Sequence, residues 1–162
     1  MIIVTGGAGF IGSNIVKQLN ERGRNDILIV DDLTDGSKIR NLQMLDYYDY
    51  VDCIDFDDAV ATNTFDVGPI EVVFHEGACA DTMNYDGRYM MHNNFEGTKN
   101  LFHYCQERRV PFIYASSAST YGHGKKGFTE KPECEEALNP YAYSKLFFDR
   151  YVRRFEKDLQ SK

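Results

Sequence analysis

The sequence predicts an α/β fold in which a doubly wound parallel sheet is covered by helices on both faces. Two observations favour this fold. Apolar segments of strand length alternate with helical segments along the chain, and most of these apolar segments lack the polar alternation of a half-exposed strand. The chain has 162 residues, of which 43% are hydrophobic and 27% charged, a composition typical of globular proteins. We therefore expect one domain over residues 1–162.

The strands are predicted from short runs of aliphatic and aromatic residues. The predicted strands are 1–5, 26–32, 50–54, 70–75 and 111–117. The second of these segments ends in two acidic residues, and the dipeptide Gly68-Pro69 precedes the fourth. Such punctuation marks the points where a strand gives way to a loop.

The helices are predicted between these strands. The predicted helices are 13–23, 39–45, 57–65, 86–109 and 140–157. In the first helix, Ile15, Val16 and Leu19 fall on one face, and Gly23 suits its C-terminus. The long segment 122–139 is rich in glycine and charge and is predicted to be a loop.

Charge and targeting signals exclude several classes of protein. The formal net charge is −7, which leaves no basic surface for nucleic acid or an anionic membrane. No apolar run approaches the roughly 20 residues of a membrane span, and the N-terminus lacks a signal peptide. The four cysteines form no C-x-x-C pair, so we expect neither a zinc site nor a disulfide framework. We expect a cytoplasmic protein with no nucleic-acid or membrane partner.

The turn after the first predicted strand carries a glycine motif. Gly6, Gly9 and Gly12 have the spacing G-x-x-G-x-x-G, and a helix follows. Glycines permit a tight turn and a close backbone approach to a pyrophosphate, which the amides at the helix start then stabilise. Asp31 and Asp32 lie about 20 residues further on, as in Rossmann dinucleotide-binding domains.

The second predicted strand end leaves the choice of dinucleotide open. An acidic residue at this place normally accepts a hydrogen bond from the adenosine ribose, which favours NAD. Lys38 and Arg40 lie just beyond it and could instead hold the 2′-phosphate of NADP. The residues alone are compatible with both cofactors.

A second group of residues suits proton transfer. Tyr141 and Lys145 are four residues apart at a predicted helix start, and therefore on one face. A phenol has a pKa of about 10, and a nearby ammonium group would lower that value and make the phenolate a usable base. Ser117 follows the fifth predicted strand, at the sheet edge where ligands of parallel sheets bind. Its hydroxyl could hydrogen-bond the reacting oxygen.

These motifs resemble the N-terminal part of the extended short-chain dehydrogenases/reductases, the NAD-dependent epimerase/dehydratase family. The matching segments are MIIVTGGAGFIGSNIVK at 1–17, PFIYASSASTYG at 111–122 and NPYAYSKLFFDRYVR at 139–153. HEGACA at 75–80 and YMMHNN at 89–94 are similar, within that family, to the enzymes that epimerise carbon 6 of ADP-glycero-manno-heptose. The resemblance covers nearly the whole chain.

The resemblance implies the positions of the functional residues. The catalytic residues would be Ser117, Tyr141 and Lys145. The residues implied to contact the cofactor are Gly6, Gly9, Phe10, Ile11, Gly12, Asp31, Asp32, Lys38, Glu76, Gly77, Ala78, Cys79, Ala80, Asn93, Tyr141 and Lys145. No metal is implied. The contact at Lys38 is consistent with NADP, whereas Cys53 stands where the family pattern has a lysine that touches NADP. That departure leaves NAD possible.

The implied reaction is a redox epimerisation in lipopolysaccharide inner-core heptose biosynthesis. Tyr141 would take the hydroxyl proton while NADP removes hydride from carbon 6, and the hydride would return to the opposite face. The chain ends at Lys162, before the expected sixth strand and the C-terminal substrate domain with its second acid–base residue. We therefore expect a fragment that binds cofactor weakly and turns over nothing. The full-length protein is expected to be a homo-oligomer.

Two alternatives stay open. One is another sugar-nucleotide epimerase or dehydratase of the same superfamily. A dehydratase would ordinarily carry an Asp-Glu pair after the fifth-strand serine or threonine, and this chain has Ala118-Ser119-Thr120 after Ser117. The other alternative is a non-catalytic cofactor-binding protein, which would have no need for an intact Ser117, Tyr141 and Lys145.

Overall fold

The computed structural model describes residues 1–157 and 159. The described residues form one sheet of five parallel strands in the order β3-β2-β1-β4-β5. The strands are β1 (Ile2–Thr5), β2 (Ile27–Asp31), β3 (Asp49–Asp52), β4 (Val72–His75) and β5 (Phe112–Tyr114). This order confirms the predicted doubly wound sheet. The chain runs outward from β1 through β2 to β3, then crosses to the other side of β1 and runs outward from β4 to β5. The predicted domain range of 1–162 ends outside the described residues.

Six α-helices connect or follow these strands in the described part of the chain. They are α1 (Phe10–Glu21), α2 (Ile39–Leu42), α3 (Cys53–Ala61), α4 (Gly87–Met90), α5 (Gly97–Arg108) and α6 (Pro140–Val152). A π-helical turn, Met91–Glu96, joins α4 to α5. None of the helices in the described part is long and apolar enough to cross a membrane.

Helix boundaries differ from the predicted ones for local reasons. α1 begins at Phe10 and not at Ser13, since Gly9 already takes the N-cap position. α3 begins at Cys53, because the Asp52 side chain accepts a hydrogen bond from the Ile54 amide at 2.9 Å and caps the helix. The predicted strand 50–54 therefore ends at Asp52, and the helix predicted to begin at 57 begins four residues earlier.

The apolar residues of the strands point alternately to two cores. Ile3, Leu28 and Val30 pack against Phe56 and Leu101 on one face of the sheet. On the other face, a second cluster joins strand residues to helix residues; it contains Ile2, Val4, Ile27, Ile29, Val16 and Leu42. Burial on both faces explains why the central strands are apolar throughout.

The described residues group into two compact units. The first contains Met1–Gly77 and Asn100–Tyr114, and therefore the whole sheet. The second contains Ala78–Lys99 and Ala115–Leu159, and therefore the π-helical turn and α6.

Candidate active site

The glycine turn of the first unit has no room for side chains. Gly6 has a φ of +65°, and a Cβ there would lie 2.8 Å from the carbonyl carbon of Glu76. A side chain at Gly12 would collide with the carbonyl of Gly6. The amide of Gly9 donates to the Gly6 carbonyl at 2.9 Å and closes the turn. Gly6 and Gly12 are thus required by close backbone packing, whereas a Cβ at Gly9 would make only a tight contact, 3.1 Å from the Gly6 carbonyl oxygen.

The start of α1 is open to an anion. Its N-cap, Gly9, provides no side-chain cap, and the first turn contains no acidic residue. The next two residues are also exposed, Phe10 by 84% and Ile11 by 57%. Uncapped amides together with the helix dipole form a favourable site for a phosphate. The geometry therefore fits the pyrophosphate of a dinucleotide.

Asp31 binds the glycine turn from the end of β2. Its carboxylate is only 5% exposed. One oxygen accepts from the Ala8 amide at 2.8 Å, and the other accepts from the Asp32 amide and the Lys38 ammonium, each at 2.8 Å. Three intramolecular hydrogen bonds therefore engage Asp31, and it connects the turn, the strand end and Lys38 directly.

Asp32 and Lys38 lie nearer the solvent at the same strand end. The exposed Asp32 carboxylate accepts hydrogen bonds from Thr34, which lower the pKa of this carboxyl group. For Lys38, burial alone would lower the pKa, but the hydrogen bond and charge of Asp31, with the charge of Asp32, raise it overall. Lys38 is therefore firmly cationic. Arg40 instead donates to the Ser37 carbonyl at 3.0 Å.

The thiol of Cys53 is influenced by the negative charges of the acidic residues near the end of β2. Burial raises the pKa of its thiol to about 11, with further contributions from Asp52, Asp57 and Asp32. A neutral thiol thus occupies the position where the family pattern has a lysine. Lys38 is consequently the cation that the structure places beside the second strand end in the described residues.

The end of β4 is hydrogen-bonded to the end of β1. The Thr5 hydroxyl accepts from the Gly77 amide at 3.1 Å and forms a hydrogen bond with Nδ1 of the buried His75 at 2.7 Å. The Glu76 amide donates to the Thr5 carbonyl at 3.1 Å. Glu76 and Gly77 therefore lie directly against the glycine turn, and their contact with a cofactor stays a prediction.

In the second unit, the start of α6 carries Tyr141 and Lys145. Asn139 caps the helix by accepting from the Ala142 amide at 2.7 Å, and Pro140 occupies the first helical position. Tyr141 is half-buried. Lys145 is 7% exposed, and its ammonium donates to the Ala115 carbonyl at 3.2 Å.

Ser117 lies three residues beyond the end of β5. Its backbone is extended, and its hydroxyl accepts from the Ser119 amide at 3.2 Å as the cap of a short 3₁₀ turn. The hydroxyl is half-buried and retains its own proton as a donor. A buried ammonium, a phenol four residues before it and a serine hydroxyl are suited to moving a proton on and off an alcohol.

The remaining predicted residues of the second unit occupy a loop and the π-helical turn. Ala78, Cys79 and Ala80 form the loop after β4, and Asn93 is exposed on the turn. The Asn93 amide donates to the Tyr89 carbonyl at 2.9 Å. The side chain of Asn93 is thus held by its own helix.

Sequence reasoning missed three residues that shape these groups. Gly7 is required because a Cβ there would lie 2.8 Å from the Ile29 side chain. Asn94, which is 1% exposed, hydrogen-bonds both Cys79 and Ser144. The Gly6-Gly7 dipeptide could have drawn attention to Gly7. Nothing in the sequence distinguished Asn94 from the neighbouring Asn93, or Ser144 from other helical serines.

The comparisons with known proteins agree with this architecture. Residues 2–162 match the model of the NAD dependent epimerase/dehydratase family. The chain belongs to this family, a class of enzymes built on the dinucleotide-binding fold described above.

One relative within the family is particularly similar. The chain is 57% identical over 161 residues to an ADP-L-glycero-D-manno-heptose-6-epimerase of Alkalilimnicola ehrlichii. The match covers 99% of this chain and 50% of the relative. The chain thus spans about half the length of the relative it matches.

Solved structures show the same fold. The Helicobacter pylori ADP-L-glycero-D-manno-heptose-6-epimerase has a TM-score of 0.79 at 24% identity, covering 94% of this chain and 50% of its own. A Thermotoga maritima UDP-glucose 4-epimerase with UDP-glucose has a TM-score of 0.80 at 29% identity, covering 99% and 52%. A Thermus thermophilus UDP-glucose 4-epimerase in complex with NAD gives the same four values.

Proposed function

We propose that this protein epimerises carbon 6 of ADP-glycero-manno-heptose by transient oxidation with bound NADP. The observation that carries the proposal is the 57% identity, over 99% of the chain, to an enzyme named for this reaction. Ser117, Tyr141 and Lys145 are all present, the first two half-buried and Lys145 buried, which supports catalysis over a purely binding role. The proposed setting is lipopolysaccharide inner-core heptose biosynthesis in the cytoplasm, with a homo-oligomeric full-length protein.

The proposed cofactor site uses the open start of α1 and the end of β2. The amides after Gly9 would hold the pyrophosphate, and Asp32 would accept from the adenosine ribose. Lys38 would hold the 2′-phosphate of NADP, because its raised pKa keeps it charged and it lies beside the strand end. NADP, when bound, supplies a hydride acceptor and donor.

The proposed proton chemistry rests on α6 and the segment after β5. Tyr141 takes the proton of the substrate hydroxyl during oxidation and returns it during reduction. The Lys145 ammonium, one helical turn beyond Tyr141 and fixed on the Ala115 carbonyl, would stabilise negative charge that develops on the reacting oxygens. The Ser117 hydroxyl orients the reacting oxygen by donating a hydrogen bond.

The experiment that tests this proposal measures epimerisation of ADP-heptose by the full-length gene product. Product diastereomers are separated by chromatography, with Tyr141→Phe as the matched variant. General acid–base groups contribute roughly 10²–10⁴-fold, so the variant should lose at least about a hundredfold in kcat. Binding of NADP⁺, followed by calorimetry, should be retained. No epimerisation by the wild-type protein would reject the proposed substrate.

A second candidate is 4-epimerisation of a UDP-sugar. The likeness to the Thermotoga maritima UDP-glucose 4-epimerase, at 29% identity over 99% of this chain, favours it as the runner-up. The same fold and the same kind of tyrosine–lysine pair would serve either substrate. Assaying UDP-glucose and ADP-heptose side by side separates the two, since we expect turnover of the latter alone.

A further inference from the structure

The backbone of Ala8, in the glycine turn, is held by two side chains from later in the sequence. Ala8 is fully buried. Its amide donates to the Asp31 carboxylate at 2.8 Å, and its carbonyl accepts from Nδ2 of Asn41 at 2.7 Å. Asn41 lies 33 positions further along the chain, on the short helix α2. A hydrogen bond therefore fixes the turn that opens α1 to α2.

The same short helix carries Lys38 at its start. Lys38 is the N-cap residue of α2, and its ammonium donates to the Asp31 carboxylate and the Asp32 carbonyl, each at 2.8 Å. Asp31 also accepts from the Ala8 amide. The contacts thus close a ring that runs from the glycine turn through the end of β2 to Lys38 and returns through α2 and Asn41.

The helix α2 is too short to hold its own position. It contains only Ile39–Leu42, and a helix of four residues is not stable by itself. Leu42 is 7% exposed and packs in the same core cluster as Val16 of α1. Burial of one apolar side chain brings α2 close to the core but is not directional. The Asn41 hydrogen bond is directional, so it defines the orientation of α2 and of Lys38 at its start.

We propose that Asn41 is a positioning residue that increases the preference for NADP over NAD by fixing Lys38 relative to the glycine turn. This inference rests on the proposed function, in which the start of α1 holds the pyrophosphate and Lys38 holds the 2′-phosphate. NADP engages both sites at once, and a distance fixed beforehand spares it the cost of ordering the segment. NAD has no 2′-phosphate and gains less from that order.

The experiment measures the Kd of NADP⁺ and of NAD⁺ by calorimetry in the full-length gene product and in Asn41→Ala. Asn41 is exposed on a helix and alanine is a good helix former, so the variant should fold. Because ordering one long side chain costs up to about tenfold in affinity, NADP⁺ should bind about tenfold more weakly. NAD⁺ should lose less than about threefold. Asn41→Gln, which keeps the amide donor, should recover part of the preference for NADP⁺.

A double variant tests whether Asn41 acts through Lys38. In a Lys38→Met background, Asn41→Ala should lower the affinities for NADP⁺ and NAD⁺ equally, by less than about threefold each. The reason is that the cation that Asn41 positions is then absent. A loss specific to NADP⁺ that persists without Lys38 would contradict the inference.

Asn20 provides a matched control in the same unit. Its Oδ1 accepts from the Asp46 amide at 2.9 Å, and its Nδ2 donates to the Asp46 carbonyl at 2.7 Å. These contacts tie the chain beyond α2 to the last turn of α1, at the opposite end of that helix from the glycine turn. Asn20→Ala should therefore lower the Tm and leave the ratio of the two dinucleotide affinities unchanged.

Three further outcomes would overturn the inference. Unchanged affinities in Asn41→Ala would show that the hydrogen bond to Ala8 has no effect on binding. An equal loss for both dinucleotides would show that Asn41 supports the glycine turn alone. A wild-type protein that binds NAD⁺ as tightly as NADP⁺, or binds neither, has no preference for Asn41 to increase. Failure of the proposed epimerisation is measured separately, in the ADP-heptose assay, and does not alter these titrations.

Discussion

At the scale of single residues, the two acids at the end of β2 have different tasks. The Asp31 carboxylate is buried and takes three hydrogen bonds from Ala8, Asp32 and Lys38. The Asp32 carboxylate is exposed. Asp31 therefore organises the glycine turn, whereas Asp32 faces the solvent. Lys38 is held between them, at 2.8 Å from both an Asp31 oxygen and the Asp32 carbonyl.

Replacing Lys38 tests the cofactor preference directly. We expect Lys38→Met to weaken binding of NADP⁺ about tenfold, equivalent to ~1.4 kcal/mol, because a cation beside the 2′-phosphate is lost. Binding of NAD⁺ should change much less, since NAD⁺ has no such phosphate. Calorimetric titration of both dinucleotides into wild type and variant measures this. An equal loss for the two cofactors would mean that Lys38 acts only through Asp31.

The thiol of Cys53 gives a prediction about pH. Burial raises its pKa to about 11, with help from Asp52 and Asp57. The thiolate is the reactive form, so alkylation by iodoacetamide at pH 7 should be far slower in the folded protein than in urea. The folded-state rate should rise about tenfold per pH unit until the pH nears the pKa. Mass spectrometry of the peptide containing Cys53 follows this, and rapid labelling at pH 7 would contradict it.

At the scale of elements, the cap of α6 supports the helix that carries Tyr141 and Lys145. Asn139 accepts from the Ala142 amide at 2.7 Å. Replacing an N-cap asparagine with alanine typically costs about 1 kcal/mol, so Asn139→Ala should lower the Tm by roughly 2–4 °C. Differential scanning calorimetry measures the change. An unaltered Tm would show that Pro140 and the packing of α6 are sufficient to hold the helix start.

The elements also show which parts of the fold could be predicted from the sequence. The centres of β1, β2 and β4 were predictable because burial on both faces leaves a continuous apolar run. The start of α3 at Cys53 depends on one capping hydrogen bond from Asp52, which a pattern of hydrophobic residues does not contain. The long helix predicted at 86–109 was interrupted by a π-helical turn for which the sequence has no signal.

The candidate site likewise has parts that could be predicted from the sequence and parts that could not. The glycines and the Tyr141–Lys145 pair are separated by short, fixed spacings, and such motifs can be recognised locally. The contacts of Asn94 join residues 15 and 50 positions apart. Contacts at these separations depend on the path of the chain between them, which no local pattern specifies. The bond of Asp31 to Ala8, 23 positions away, was hidden for the same reason.

At the scale of the whole molecule, the chain is shorter than the relatives it matches. Its activity on its own depends on what it shares with them. It spans 50% of the heptose epimerase it matches and 52% of the Thermotoga maritima 4-epimerase chain. In the described residues, β5 has a sheet neighbour only on its β4 side, and Ile113 on that strand is 50% exposed. An uncovered edge strand lowers stability and favours association.

These features predict the behaviour of a polypeptide limited to residues 1–162. It should bind NADP⁺, since the glycine turn, Asp32 and Lys38 all lie within it. It should turn over no ADP-heptose, because we expect the substrate pocket to require the further half that the relatives possess. The coding length of the gene is the first measurement, and calorimetry and the epimerase assay on both polypeptides follow. Turnover by residues 1–162 alone would show that this segment suffices for catalysis, and NADP⁺ binding without turnover would assign substrate recognition to residues outside it.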